Sequence, residues 1–556
     1  MPVAAPAFTA WLDDFFAAYY RRRPVNATFI GVHDHDGALP DFSERGTGDT
    51  VGEIEDLRRR LRALPAEPLG AVETIDRALA DGFLEIQRWE HSSTHFQGGN
   101  PSVYTGEAIF GVLSLFLRQD APQTARVAAA TERMRAIPDF LAQAKANVRE
   151  APAAWTERAV RECAGAVAFL TGGVEMLVRD EHITTPAFAD AARLAAAAFA
   201  DLRAHLTNEL LPRDNGRYAC GDDAFALLLR HGHFLDRDAV EIARRAEEEL
   251  VECEARLEAQ AAELGASSWR EALAGLAELH ASAAGYYRRF EEVREACRAE
   301  VENRHLLTWV DWPLRFVPQP EWARAAAPSL YFLPYRSPPT FGAGRSNEYL
   351  VTPIDPEMPA DRVERLLREQ NDSVITLNHV IHHGTVGHHV QNWHASRAAS
   401  RIGRVAAVDC ASRIAFFCGG TMAEGWATYA TQLLAETDLL TPLERLAARH
   451  GQLRAAARAL VDVRLHQGRL TLDDAARLYE ERVGMSAGAA RSEAMKNSMF
   501  PGVALIYLVG SELIRRLRAE AEVGPGGAFD LRAFHDRFLG HGSLPVSLIT
   551  SSMVTA

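Results

Sequence analysis

Apolar residues three and four positions apart recur along most of this chain, a spacing that admits little besides a mainly helical fold. Val72, Ile75, Leu79, Phe83 and Ile86 form one such stripe. Leu443, Leu446, Leu453, Ala457 and Leu460 form another, behind a Thr441–Pro442 pair that reads as an N-cap followed by proline at the first helical position. The stretches 122–149, 156–178, 184–208, 238–264 and 268–302 are rich in Ala, Leu, Glu and Arg, all good helix formers. The pattern fails between Pro313 and Pro359, where ten of the 26 prolines lie. Long helices cannot run there, and Leu306–Phe316, Ser329–Leu333 and Glu348–Thr352 read as short strands with irregular connections. The expectation is a large multi-helix body, residues 1–556 as one unit, with a proline-rich strand and loop region at 303–360 forming the wall of a cleft. No fixed-period repeat points to a solenoid.

The formal charge of −14 argues against a protein that reads a phosphate backbone. Arg21–Arg23 and Arg58–Arg60 sit among acidic residues and read as solvated helix faces. The first residues lack a basic segment ahead of an apolar core, and the apolar run Met499–Gly510 is about half of a bilayer span, so neither a secretory signal nor a membrane partner is expected. The six cysteines are scattered without a C-x-x-C pair and read as buried thiols in a cytoplasmic protein.

Residues 378–394 carry six of the 20 histidines, where an even distribution would place fewer than one. Neutral imidazole is the commonest ligand for zinc, iron, copper and nickel, so at least two of these rings are expected to hold a metal. On an α-helix His379 and His383 share a face, as do His382 and His389, whereas His382 and His388 do not. Gly384 and Gly387 make an unbroken helix doubtful and leave the choice open. Asn371-Asp372-Ser373 would cap a helix reaching His383. Glu424 stands in an otherwise uncharged run from Ile414 to Leu434, where an unpaired carboxylate is costly to bury and a bound cation removes the cost. Two histidines followed by a distant glutamate is the ligand order of many helical zinc peptidases.

These segments, with Pro24–Thr28, Gly31–His33, Pro501–Ala504 and Phe534–Pro545, resemble bacterial proteins of the family named domain of unknown function 885, distant relatives of gluzincin peptidases such as thimet oligopeptidase. The family pattern runs H-E-x-x-P-G-H-H-x-Q, E-G-W-A-x-Y-A-E, P-G-Q-A and F-H-x-x-x-L-x-x-G-S-L-P. The resemblance implies a helical body with a deep channel. It makes His382, His388 and Glu424 the ligands of one divalent ion, zinc first and iron or manganese as alternatives, with His389 the main competitor for the second place. In this chain His383 stands where the family has its catalytic glutamate, Val386 replaces the proline, Thr431 the second glutamate and Val503 the glutamine.

The function that follows is a metal-dependent hydrolase of an amide, peptide or ester bond in a small-molecule or short peptide substrate. His383 would be a non-standard base for metal-activated water, or rotate inward as another ligand. Tyr429 or Tyr507 would donate to the oxyanion. A non-hydrolytic metalloenzyme on the same two-histidine, one-carboxylate scaffold (a lyase, isomerase or non-haem iron oxygenase) is the alternative, and a non-catalytic binding protein the third.

Overall fold

Helical stripes become helices where they can bury a face. In a computed structural model describing residues 6–64, 69–117, 121–327, 335–336, 340–341, 347–405, 419–523 and 529–554, the first stripe is the helix Ala71–Ser92. Its Leu79, Phe83 and Ile86 are buried, while Val72 at its first turn is left exposed. Gln123–Asn147, Pro186–His205 and Ala239–Glu263 follow their expected boundaries closely. Thr441 caps Pro442–His466 as a capping box, its hydroxyl accepting from Glu444 N while the Glu444 carboxylate accepts from Thr441 N.

Two stretches depart from a single helix. Residues 156–178 are wound as Ala153–Ala168, a π-helical turn at Phe169–Gly173, and Val174–Asp180. Residues 268–302 break into Trp269–Ala274, a short 3-10 turn and Tyr286–Asn303. Around the break Leu279 O accepts from Asp372 N at 2.9 Å, and Ser282 Oγ accepts from Gly285 N at 3.2 Å. Tertiary and turn hydrogen bonds override the helix propensity there.

The fold is mainly α with a small strand insertion, as expected. The sheet has three strands in the order β1-β3-β2: β1 (Leu314–Pro318), β2 (Tyr335–Arg336) and β3 (Asn347–Val351). β1 and β3 are parallel with Phe316 opposite Tyr349, and β2 runs antiparallel to β3. The strand expected over Leu306–Phe316 forms only at its end, and Ser329–Leu333 lies outside the described residues.

One apolar core joins the N-terminal helices to the sheet, the histidine segment and the helix Gly420–Ala435. Another is built on Ala239–Glu263 and Pro442–His466. Cys163, Cys253 and Cys297 are buried free thiols. No helix among the described residues is long and apolar enough to cross a membrane.

Candidate metal centre

The histidine segment is wound in a way its composition does not announce. Val374–Gly384 is π-helical, its bonds closing over five residues rather than four, and Asn371 Oδ1 accepts from Val374 N at 3.2 Å at its start. That winding removes the face that His379 and His383 would share on an α-helix. It also sets the His383 ring above Asn378, whose carbonyl accepts from Nδ1 at 2.7 Å. The other nitrogen, Nε2, is then the one with a free lone pair.

Residues 385–387 turn the chain back, and a new helix starts at His388 (His388–Ala395). Gly387 is required in this turn, because a Cβ there would overlap the His382 carbonyl. The reversal lays His388 beside His382, their ring centroids 5.0 Å apart. Ligand nitrogens of His382, His383 and His388 lie within 4.8 Å of one another.

Glu424 enters from the helix Gly420–Ala435, which Trp426 fixes to the turn by donating Nε1–H to Val386 O at 2.9 Å. Gly425 and Gly510 allow the next contact: a Cβ at Gly425 would sit 2.6 Å from Gly510 Cα. The helix Ile506–Val523 therefore crosses against the one carrying Glu424, with Tyr507 one turn before the crossing.

Glu424 Oε2 is 3.2 Å from His382 Nε2 and 3.5 Å from His388 Nε2. That oxygen is buried, yet makes no hydrogen bond of acceptable geometry. Burial alone would raise the Glu424 pKa, but His388 and His382 outweigh it and hold the group well below the usual carboxylate range. Burial lowers His382, partly offset by Glu424. Burial and the two neighbouring rings push His383 well below 6.5. The cluster thus sets an ionised carboxylate beside His382 and His383, two rings whose neutral form burial favours. Donors bound tetrahedrally at 2.0–2.2 Å from one ion stand about 3.4 Å apart. Glu424 Oε2 stands at about that spacing from His382 Nε2 and from His388 Nε2, and the donor set fits a divalent ion.

The remaining histidines are committed elsewhere. His379 bonds Tyr349 OH at 2.6 Å and Gln370 Oε1 at 2.7 Å through its two nitrogens. His389 bonds Trp312 O at 2.9 Å and stacks on that indole. Burial lowers both rings to about 4. Tyr429 is not brought to the cluster. Its hydroxyl bonds His535 Nε2 at 2.8 Å and accepts from Arg518 at 3.3 Å. Tyr507 lies beneath the Arg458 guanidinium, 4.6 Å from its ring centroid, on a crevice that also touches Glu493 and Phe500. Phe500 is shared with a cavity of about 350 Å³ between the N-terminal helices, lined among others by Arg23, Glu90, Phe110 and Glu162. The three histidines do not line that cavity.

Composition and spacing gave no sign of Arg454, which lies close enough to His382 for its charge to act on the ring. The remaining motif residues support the site. Gln391 donates to Ser543 Oγ, Val546 N donates to Thr421 Oγ1 at 3.2 Å, and Gly502 N and Leu505 N donate to Asp462 at 3.0 and 2.9 Å.

Fold and site together define a helical protein with a half-buried histidine and carboxylate cluster. The chain belongs to the bacterial family of unknown function DUF885, whose model matches residues 24–553. No curated protein sequence matches the chain. Two solved structures share its fold and are described as putative lipoproteins. One, from Shewanella oneidensis, has a TM-score of 0.79 at 21% identity and covers 98% of this chain and 99% of its own. The other, from Colwellia psychrerythraea, has a TM-score of 0.78 at 16% identity and covers 99% of each. Lipoproteins are anchored to membranes, so these neighbours overturn the expected cytoplasmic location.

Proposed function

We propose that the protein is a metal-dependent enzyme acting on an amide, peptide or ester bond. His382, His388 and Glu424 would hold the ion and His383 would supply a third imidazole. One observation carries the reading: a buried, ionised carboxylate oxygen at 3.2 and 3.5 Å from two imidazole nitrogens, with no hydrogen bond to satisfy it. Such a charge is expensive to desolvate unless a cation joins it. The likeness of these segments to helical gluzincin peptidases supports the same assignment. When bound, the ion would supply Lewis-acid polarisation of a carbonyl and an activated water.

His383 suits a ligand better than a base. Its Nδ1 is tied to Asn378 O, and a ring held well below 6.5 accepts a proton poorly. Tyr507 rather than Tyr429 would donate to a developing oxyanion, since Tyr429 is bonded within the core.

A second reading is a non-hydrolytic iron or manganese enzyme. It is favoured by the third imidazole and by the absence, among the described residues, of a second carboxylate in the cluster.

Elemental analysis of freshly purified protein tests both, alongside His382→Ala, Glu424→Ala and His383→Ala. Near-stoichiometric zinc with turnover of N-acyl peptides or esters is the expected result. Ion loss is expected in the first two variants and about tenfold or weaker retention in the third. Iron or manganese without hydrolysis selects the second reading. No metal, and none taken up on reconstitution, removes both.

A further inference from the structure

The helix Pro442–His466 is buried on most of its circumference. Leu453, Ala455, Ala456, Ala457, Ala459 and Leu460 are all core, yet Arg454 among them is solvent-exposed. An exposed side chain bracketed by core residues marks an open cleft beside the helix, which Arg458 joins to the crevice lined by Glu493 and Tyr507. One turn earlier on the same face, Gly451 has open space where a Cβ would stand. One turn later, Arg458 is paired with Glu493 at 2.6 Å and covers the Tyr507 ring.

Charge in this cleft is unevenly balanced. Arg458 and Lys496 both act on Glu493, holding its carboxyl down at about 2 against the upward push of burial. Arg454 has no hydrogen bond or ion pair among the described residues, and the Arg458 charge works against its own. Three cations, Arg454, Arg458 and Lys496, thus act on the Glu493 carboxylate, and Arg454 lies within electrostatic reach of His382 and Tyr507. A guanidinium presents a planar fork that matches a carboxylate bidentately.

We propose that Arg454 receives a free carboxylate of the substrate, so that the cleft selects molecules carrying that group close to the bond presented to the histidine cluster. As a statement about substrate this rests on the catalytic reading above. As a statement about binding it stands on Arg454 alone. Arg454 is on this view a specificity residue that touches substrate. It holds the acid end while Glu424 and the imidazoles occupy the other side of the cleft.

Calorimetric binding of N-acetyl-alanyl-alanine and of its C-terminal amide tests this, on the protein as purified and after chelation. The acid is expected to bind wild type at least tenfold more tightly than the amide. The preference should vanish in Arg454→Gln and survive in part in Arg454→Lys, with metal content and melting temperature unchanged. If Arg454→Gln melts early, the lysine variant and the acid-to-amide ratio in wild type still decide. Equal binding of acid and amide, binding of neither, or a preference that survives Arg454→Gln overturns the proposal. So does inorganic phosphate that binds more tightly than the acid, which would make this a phosphate site. A protein that never holds metal but still prefers the acid leaves this inference standing and removes the catalytic one.

Discussion

Glu424 decides the character of the centre because its burial has no neutral solution in the protein alone. Burial favours the uncharged form of His382 and His383, and Glu424 Oε2 meets no well-aligned N–H group. Its importance was legible in the sequence as one charge in an apolar run. The geometry that sets Oε2 between His382 and His388 was not. Tyr429 illustrates the converse. It belongs to the same motif as Glu424, yet five positions along the helix turn it away into the core, where it bonds His535. Tyr429→Phe is expected to cost about 1 kcal/mol of stability through that lost hydrogen bond. Bound metal should be unchanged. Chemical denaturation and metal analysis on the same sample check both, and a drop in metal content would return Tyr429 to the site.

At the scale of elements, the choice between His388 and His389 is made by how the backbone winds. A π-helical segment, a three-residue reversal and a new helix replace the single helix on which ligand spacing would be counted. The glycine at 387 was visible in the sequence as a possible break. Which histidine the break would select was not, because that depends on where the helix restarts and on Trp426 holding the turn. Gly387→Ala pushes a methyl group against the His382 carbonyl. The expected result is a loss of about 2–3 kcal/mol together with weakened metal retention, since the backbone can relax only by moving one ligand. Retention unchanged in a well-folded variant would show that the turn does not set the site. The same reasoning covers Gly425 and Gly510, where two glycines let one helix bring Tyr507 close to the helix of Glu424.

For the whole molecule, acid sensitivity follows from histidines buried in neutral form. Burial lowers His233, His379, His389, His450 and His535 to about 4, and His466 to about 3. Below the unfolded value near 6.5 the unfolded chain binds protons that these folded rings refuse. Their contribution to stability is complete above pH 6.5 and is lost as pH falls towards 4. Each group adds about 1.4 kcal/mol per pH unit in that window. Asp462 works in the opposite direction. Burial raises it to about 7, so the folded state binds its proton first and gains stability as pH falls from 7 towards 4. Several histidines against one aspartate predict a melting temperature that falls between pH 7 and pH 5. A melting temperature constant or rising over that range would contradict the burial of these rings.

The sequence by itself determined the helical class, the proline-rich interruption, the family and the short set of residues that can carry chemistry. Periodicity, proline content and residue type are local properties, and each constrains the chain without knowledge of its neighbours. Only the tertiary structure decided which histidines face Glu424 and that Tyr429 turns away from the cluster. Arg454 lies on a stretch that reads as ordinary helix, and its exposure among core neighbours follows from how other helices pack around it. Those outcomes depend on close backbone approaches at Gly387 and between Gly425 and Gly510, which no local pattern encodes.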